Sequence, residues 1–394
     1  MKRPVWLRLL VSVGGLGLLA SACGTEHPLN TLDPAGPNAE TIDNLIDPIF
    51  IIAGIVFVLV QGILFIIWRK FAVKGAESPA DERPGTYGDD VFPEQVHGNF
   101  KLEIGWTIIP AVFLAIVSVL TLMALFELEQ VDAADDDLRV TVVGNQWWWE
   151  FQYHLDGNVE TPPDFVTANE MVIPVDVEVP LWIESRDVIH SFWIPRLHGK
   201  RDAVPGRSHP WVIEASELGR FAGQCTEFCG LSHAYMQMYT EAVTQSDFDA
   251  WVAQQLTPQP VLADGDDNVV GQQLFVTNCS RCHMVVGVTD TNGDEEVDGW
   301  NIYDGDSKFL AEGNLIAGAA PNLTHLMSRE TFAGSFFDLY DESGAVNRDQ
   351  LEAWVRNAPD EKPARNGNLQ GMPAFDGLSP EDLDAIVDYL ETLQ

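Results

Sequence analysis

At 394 residues with a formal charge of −37, from 22 Lys and Arg against 59 Asp and Glu, the chain is long enough for two or three cores. It is too acidic for a nucleic-acid surface, whose phosphate contacts need a basic face, so the acidity reads as a solubilising surface, as steering of a basic partner, or as both. The five cysteines, Cys23, Cys225, Cys229, Cys279 and Cys282, are too few and too odd for a disulfide framework, and the last four form two close pairs, as metal or cofactor positions do.

The N-terminus carries Lys2, Arg3 and Arg8, then an apolar stretch ending Leu18-Leu19-Ala20-Ser21-Ala22-Cys23. This is the pattern of a secretory signal with small residues before its cut site. The cysteine that follows makes residues 1–22 resemble a lipoprotein signal, with Cys23 as the lipid-modified mature N-terminus. Ala20 stands where that pattern has leucine, and ordinary secretory cleavage or an uncleaved first helix stays open. After an N-terminal segment, 23–47, come two stretches without a charge, Pro48 to Trp68 and Trp106 to Phe126, each 21 residues long. A spanning helix needs ~20, so residues 48–126 read as a two-helix transmembrane hairpin. Lys and Arg placement orients it. The segment from Cys23 to Asp47 has neither residue, whereas the loop 69–105 has Arg69, Lys70, Lys74, Arg83 and Lys101. That loop is therefore predicted inside, with the lipidated end and everything after Phe126 outside. The outer part, 127–394, holds 47 of the acidic side chains.

From Leu138 to about Thr244 the pattern turns to β. Leu138-Arg-Val-Thr-Val-Val alternates, as does Val172-Ile-Pro-Val-Asp-Val-Glu-Val, and Pro210-Trp-Val-Ile-Glu follows a Gly-Arg turn. Short runs punctuated by proline and glycine predict a β-sandwich or barrel over 127–256. The proline-bearing stretch 257–265 reads as a linker. Beyond it, 266–394 reads as a small all-α domain, with helices at Val269 to Val276 and Glu352 to Asn357. A final helix is capped by Ser379 and carries Leu383, Ile386, Val387, Leu390 and Leu393 on one face.

Within the β region, Cys225-Thr-Glu-Phe-Cys229-Gly-Leu-Ser-His233-Ala-Tyr-Met236 places two thiols, an imidazole and a thioether on one loop, with His190 between earlier strands. Soft sulfur with imidazole is the donor set that copper takes in electron-transfer sites. One cysteine would suit a mononuclear site, whereas two can each bridge a pair of coppers and share the odd electron. The competing reading is a structural zinc on two cysteines and two histidines, which needs no methionine. The region closely resembles subunit II of the haem-copper oxidases over roughly residues 40 to 245. The resemblance rests on these ligands and on Leu102-Glu-Ile-Gly-Trp-Thr-Ile-Ile-Pro110, Gln146-Trp-Trp-Trp-Glu-Phe-Gln-Tyr153, His190-Ser-Phe and Gly199-Lys-Arg-Asp-Ala-Val-Pro-Gly-Arg207. It implies a cupredoxin fold and a binuclear copper centre (CuA) held by His190, Cys225, Cys229, His233 and Met236, with the backbone carbonyl of Glu227 as a further ligand. It also implies that the Glu227 side chain faces a magnesium or manganese ion shared with subunit I.

Trp147, Trp148 and Trp149 cannot all face one way on a strand, because neighbours point to opposite faces. At least one is expected to be exposed or at an interface. The resemblance makes Trp147 the point where electrons come in, and puts Trp148 where the family has tyrosine. Glu103 reads as an interfacial anchor at the inner end of the second span; the resemblance makes it the mouth of a proton path into subunit I.

Cys279-Ser-Arg-Cys282-His283 is the attachment motif of a covalent haem c, with His283 as the proximal ligand; a thioredoxin-like or zinc reading of the two cysteines competes. The sixth ligand comes from far along the chain. Met284 is too near His283, which leaves Met327 and Met372. Met372, in Gly371-Met-Pro-Ala-Phe375, matches the motif and position seen in class I cytochromes c and is the choice. His325 is expected to pack or to touch a propionate. The acidic run 290–298 imitates a calcium loop, but Glu295 replaces the turn glycine and Asn301 the closing glutamate, so it reads as a solvated insertion. His27, His97, His154, His198 and His209 have no partner spacing.

Together the parts resemble subunit II of cytochrome c oxidases that carry a fused cytochrome c. The implied partners are subunit I, where oxygen is reduced with proton translocation, other oxidase subunits, membrane lipid, and a cytochrome c or upstream reductase as donor. The implied location is a bacterial plasma membrane with both soluble domains outside. Two alternatives are the electron-receiving subunit of a copper-containing nitric oxide reductase and a stand-alone membrane carrier. A quinol oxidase subunit would lack the copper ligands.

Overall fold

A computed structural model of the chain describes residues 27–71, 98–129, 138–289, 320–363 and 371–394. The signal segment with Cys23, most of the loop between the two apolar stretches, and the acidic run 290–298 lie outside the described residues. The chain divides into two compact units, one of Thr41–Glu129 and one that joins the earlier residues to those from Gln130 onward.

The first unit consists of two long helices, α1 (Pro37–Phe71) and α2 (Phe100–Leu128). Both outrun the uncharged stretches that predict them, because polar turns extend their ends, and they continue through Pro48 and Pro110. Arg69 and Lys70 close α1, where cations suit the helix dipole. Asn99 starts α2: its side chain accepts from the backbone N–H groups of Lys101 and Leu102. Glu103 reciprocates, its Oε1 accepting the Asn99 N–H at 3.1 Å. The Glu103 carboxylate thus holds the helix start. Thr41 Oγ1 donates to Glu127 Oε1 at 3.3 Å, so the helices run antiparallel. Their apolar side chains point outward; Phe57, Ile66, Ile109 and Phe126 are 62–73% exposed. Apolar surface left in water costs ~25 cal/mol per Å², so hydrocarbon is the solvent such helices fit, and both are long enough to cross it.

In the second unit, β1 (Arg139–Asn145), β2 (Trp148–His154), β3 (Phe165–Ala168), β5 (Val179–Ser185) and β8 (His209–Ile213) form one sheet in the order β3-β2-β1-β5-β8. A second sheet has the order β4-β10-β9, from β4 (Glu170–Pro174), β10 (Gln237–Val243) and β9 (Gly219–Gln224). Val142, Phe151, Leu181 and Ile183 of the first sheet share a core with Phe221 and Met238 of the second. Tyr153 ties the sheets together, its hydroxyl donating to the Val172 carbonyl at 2.9 Å and accepting the Val172 N–H at 2.8 Å. This is the expected β-sandwich, with one difference. The alternating run Val172–Val179 is not one strand, because Asp176 adopts φ +58° and turns the chain from β4 in one sheet to β5 in the other.

Seven consecutive residues of β2 are buried. The alternation holds: Trp149, Phe151 and Tyr153 enter the core, while Glu150, Gln152 and His154 line the other face, where Arg186 pairs with Glu150 at 3.0 Å. None of the three tryptophans is exposed, at 5%, 7% and 0%. The expectation of an exposed or interfacial tryptophan is not met: Trp147 precedes β2 and its indole also lies in the sandwich core, with only its backbone carbonyl meeting the helical part.

The C-terminal part contains α3 (Gln245–Gln255), α4 (Val269–Asn278), the small ladder of β11 (Thr331–Phe332) with β12 (Phe337–Asp338), α5 (Arg348–Glu361) and α6 (Pro380–Leu390). Helices α4 and α6 cross closely at Gly271, where a Cβ would lie 2.0 Å from the Ala385 carbonyl oxygen. Ser379 caps α6 as expected, and Leu383, Ile386, Val387, Leu390 and Leu393 are only 0–4% exposed. Asn357 departs from helical geometry just before Pro359, which cannot donate to the preceding turn. Residues 257–265 are hydrogen bonded to the helical part: Gln259 N–H donates to the Val286 carbonyl and Leu262 N–H to Gln272 Oε1, at 2.8 and 2.9 Å.

This helical part docks on the sandwich through built polar contacts. Glu170 of β4 accepts from Thr331 Oγ1 at 2.5 Å and from the Glu330 N–H, while pairing with Arg220 at 3.0 Å. Gln237 N–H donates to the Gly334 carbonyl at 3.0 Å, and the Tyr235 and Phe336 rings meet edge to face.

Candidate redox sites

The loop after β9 carries Cys225, Cys229, His233 and Met236 across the end of the sandwich, and β6 (His190–Phe192), paired with β7 (Arg201–Ala203), brings His190 to it. Cys225 Sγ lies 3.8 Å from Cys229 Sγ and 3.9 Å from His190 Nδ1. Cys229 Sγ lies 3.6 Å from His233 Nδ1 and 3.8 Å from Met236 Sδ. The Glu227 carbonyl oxygen is 3.3 Å from Cys225 Sγ. All six donors that the resemblance implies therefore converge on one small volume, and both cysteines are free thiols. Hydrogen bonding to Cys229 and His190 outweighs burial and lowers the pKa of the Cys225 thiol, while the same contact and burial raise that of Cys229.

The surroundings orient these donors. Asp187 Oδ1 accepts from His190 Nε2 at 2.8 Å, which leaves the Nδ1 lone pair aimed at Cys225. Gly144 permits that placement, since a Cβ there would lie 2.8 Å from the His190 ring. Gln146 Nε2 and Trp147 Nε1 both donate to the Cys229 carbonyl, at 2.5 and 3.1 Å. Asp187, Gln146 and Gly144 had no role in the sequence reading. Gln146 and Gly144 act on partners remote in the chain, Cys229 and His190, which local spacing does not reveal. Asp187→Ala is expected to weaken copper binding by about 10–100-fold by freeing the His190 ring, measured by competition with a copper chelator. Unchanged affinity would remove Asp187 from the site.

The C-x-x-C-H motif begins at the C-cap of α4 and continues as a tight turn, with the His283 N–H donating to the Cys279 carbonyl at 2.9 Å. His283 Nδ1 lies 2.8 Å from the Pro321 carbonyl oxygen. A carbonyl only accepts, so Nδ1 carries the proton and Nε2 keeps the lone pair that iron needs. Burial lowers the His283 pKa, favouring that neutral form. Cys279 and Cys282 are free, and burial pushes the Cys279 thiol up to about 12. These residues fit a covalent haem as the copper loop fits copper. Met327 is tied by its N–H to the Leu393 carbonyl and packs against the helical core. Met372 sits half-buried on the loop before α6, which is anchored by the Phe375 N–H to the Arg356 carbonyl at 2.7 Å. His325 is buried with Nδ1 2.7 Å from the Gln394 carbonyl, a packing role at the chain end. His198 stacks on Trp211 with ring centroids 4.1 Å apart.

One residue near the copper loop was absent from the sequence reading. Lys362, 6% exposed, donates from Nζ to the carbonyls of Trp147 and Ala333 at 2.9 and 2.8 Å. Nothing local in Glu361-Lys362-Pro363 signals burial.

Comparison with known proteins agrees with this arrangement. Residues 24–124 match the model of the cytochrome c oxidase subunit II transmembrane domain, 138–243 that of its periplasmic domain, and 269–394 that of cytochrome c. A cytochrome c oxidase subunit 2 of Alkalihalophilus pseudofirmus is 36% identical over 96% of this chain and 95% of its own. Those of Bacillus sp. strain PS3 and Bacillus subtilis are 30% and 28% identical, each over 98% of this chain and 97–98% of their own. The chain thus belongs to the cytochrome c oxidase subunit II family, an oxidoreductase subunit that joins the family's membrane and periplasmic domains to a C-terminal cytochrome c domain.

Proposed function

We propose that this subunit takes electrons from a donor through a haem c on Cys279, Cys282 and His283, with Met372 as sixth ligand. It delivers them through a two-copper centre on His190, Cys225, the Glu227 carbonyl, Cys229, His233 and Met236 to subunit I, where oxygen is reduced. The observation that carries the reading is the convergence of two thiols 3.8 Å apart with two imidazole Nδ1 atoms and a thioether. Zinc would leave Met236 without a purpose. When bound, the coppers and the haem supply one-electron redox change; the chain supplies position and a dry setting. Asp187 holds the His190 tautomer, Trp147 and Gln146 hold the Cys229 carbonyl, and Pro321 holds His283.

The Glu227 side chain is exposed although its carbonyl is not free, which suits a carboxylate turned toward a magnesium ion and subunit I. Phe228 and Leu231 beside it are 76% and 57% exposed, an apolar surface that a partner subunit would cover. Helices α1 and α2 span the plasma membrane with residues 69–105 inside and both soluble domains outside, and Cys23 carries a lipid. Glu103 stands at the inner end of α2 as the mouth of a proton path. We expect purification in mild detergent to yield this chain with subunit I, two coppers and one haem c per chain, and cytochrome c-driven oxygen uptake. Zinc, a single copper, or nitric oxide reduction without oxygen uptake would overturn the reading.

A further inference from the structure

Lys362 is the one described lysine or arginine that combines near-complete burial with hydrogen bonds to both soluble domains. It follows the last residue of α5, and Pro363 after it accepts a hydrogen bond from Ser232 of the copper loop. Its ammonium makes two contacts. One is to the carbonyl of Trp147, whose indole N–H donates to the carbonyl of Cys229 at 3.1 Å. The other is to the carbonyl of Ala333, in the tight turn between β11 and β12. The next residue, Gly334, has φ +79° and lies so close that a Cβ would meet Lys362 Nζ at 2.4 Å and the Trp147 carbonyl at 2.8 Å. No larger residue fits there. Within α5, at the kink before Pro359, Arg356 and Asn357 hold the loop of Met372, by the Phe375 N–H bond at 2.7 Å and a β-bridge to Ala374. A continuous chain of covalent and hydrogen bonds therefore leads from the Met372 loop through α5, Lys362 and Trp147 to the backbone of a copper ligand.

We propose that Lys362 is the positioning residue for electron transfer within this subunit: it pins the cytochrome domain onto Trp147 and places an ammonium group beside the copper loop. Burying a lysine costs free energy unless it is well partnered. The apolar core of the helical domain is built from other residues, Phe275, Leu351, Ile386 and Leu390 among them. The two carbonyls it satisfies belong to the two domains, so the ammonium contributes only when they are docked. Its charge also matters. Burial lowers the pKa of the Lys362 ammonium to about 7, so below that pH it is a cation, and a cation held near a redox centre favours the reduced state. The inference rests on the copper reading above, which wild-type metal content tests separately.

The test compares Lys362→Met with wild type in the purified, copper- and haem-loaded full chain. Methionine keeps the length and apolar stem but removes the donor and the charge. The copper absorption and the methionine–iron band are expected to persist, which shows that both sites are folded. Electron transfer from haem c to copper, followed after rapid photoreduction, is expected to slow by about tenfold, equal to about 1.4 kcal/mol of lost docking. At pH 6, where the ammonium keeps its proton, the copper reduction potential should fall while that of the haem stays. In a second variant, Gly334→Ala, Lys362 is displaced without being removed, and a slower transfer is expected again. Unaltered transfer in Lys362→Met overturns the proposal. So does slowing with an unmoved copper potential, which would leave the lysine a packing residue alone.

Discussion

In a Cys229→Ser variant, copper retention is expected to collapse by on the order of 100-fold or more, beyond the 10–100-fold typical of losing an outer partner. Cys229 Sγ touches three other members of the donor set, Cys225 Sγ, His233 Nδ1 and Met236 Sδ, all within 3.8 Å. Serine offers a hard oxygen on a shorter bond, so it can neither bridge two coppers nor reach the imidazole and thioether partners. The fold should survive, because the hydrogen bonds from Trp147 and Gln146 end on the Cys229 backbone carbonyl, which serine keeps. The measurable outcome is loss of the mixed-valence copper spectrum and of oxygen uptake, with haem c left fully reduced at steady state. Two coppers per chain in the serine variant would show that the metal is held elsewhere.

The second large effect concerns the haem. Met372→Ala is expected to abolish the methionine–iron absorption band and lower the haem potential, since a thioether ligand stabilises the ferrous state. Met327→Ala should leave the band intact and instead cost about 2 kcal/mol of stability, the low end for removing a core methionine. The structure explains the contrast. Both are half-buried, but Met327 is fixed by the Leu393 carbonyl against the apolar core, whereas Met372 stands on a loop tethered at Phe375. Loss of the band in Met327→Ala and its persistence in Met372→Ala would exchange the two assignments.

These two sites were legible in sequence to different degrees. The copper loop concentrates Cys225, Cys229, His233 and Met236 in twelve consecutive residues, and the C-x-x-C-H motif is five long, so local spacing alone announces the chemistry. The uncharged stretches likewise announce α1 and α2, because hydrocarbon admits no other composition. Even so, the polar extensions of both helices and the Asn99–Glu103 cap lie outside that signal. Alternation predicted strands, yet it ran through Asp176, where a left-handed turn sends the chain into the other sheet. It also predicted an uncovered or interfacial tryptophan, yet all three are covered, because Trp147 precedes the strand and turns its indole to the Cys229 carbonyl.

Sequence by itself determined the kinds of chemistry here: two paired-cysteine sites, an apolar hairpin, a β part followed by an α part, and a surplus of acid. Those properties are carried by short segments, where composition and spacing suffice. What only the tertiary structure decided is which groups orient the donors and how the two soluble domains meet. Asp187 beside His190, Pro321 beside His283, and Glu170 beside Thr331 each depend on a particular turn, strand register or docking. Lys362 is the extreme case. It lies 215 positions from Trp147 in sequence yet 2.9 Å from its carbonyl. A lone lysine before a proline carries no local mark of burial; only the packing of one domain on the other removes its water and gives it a partner.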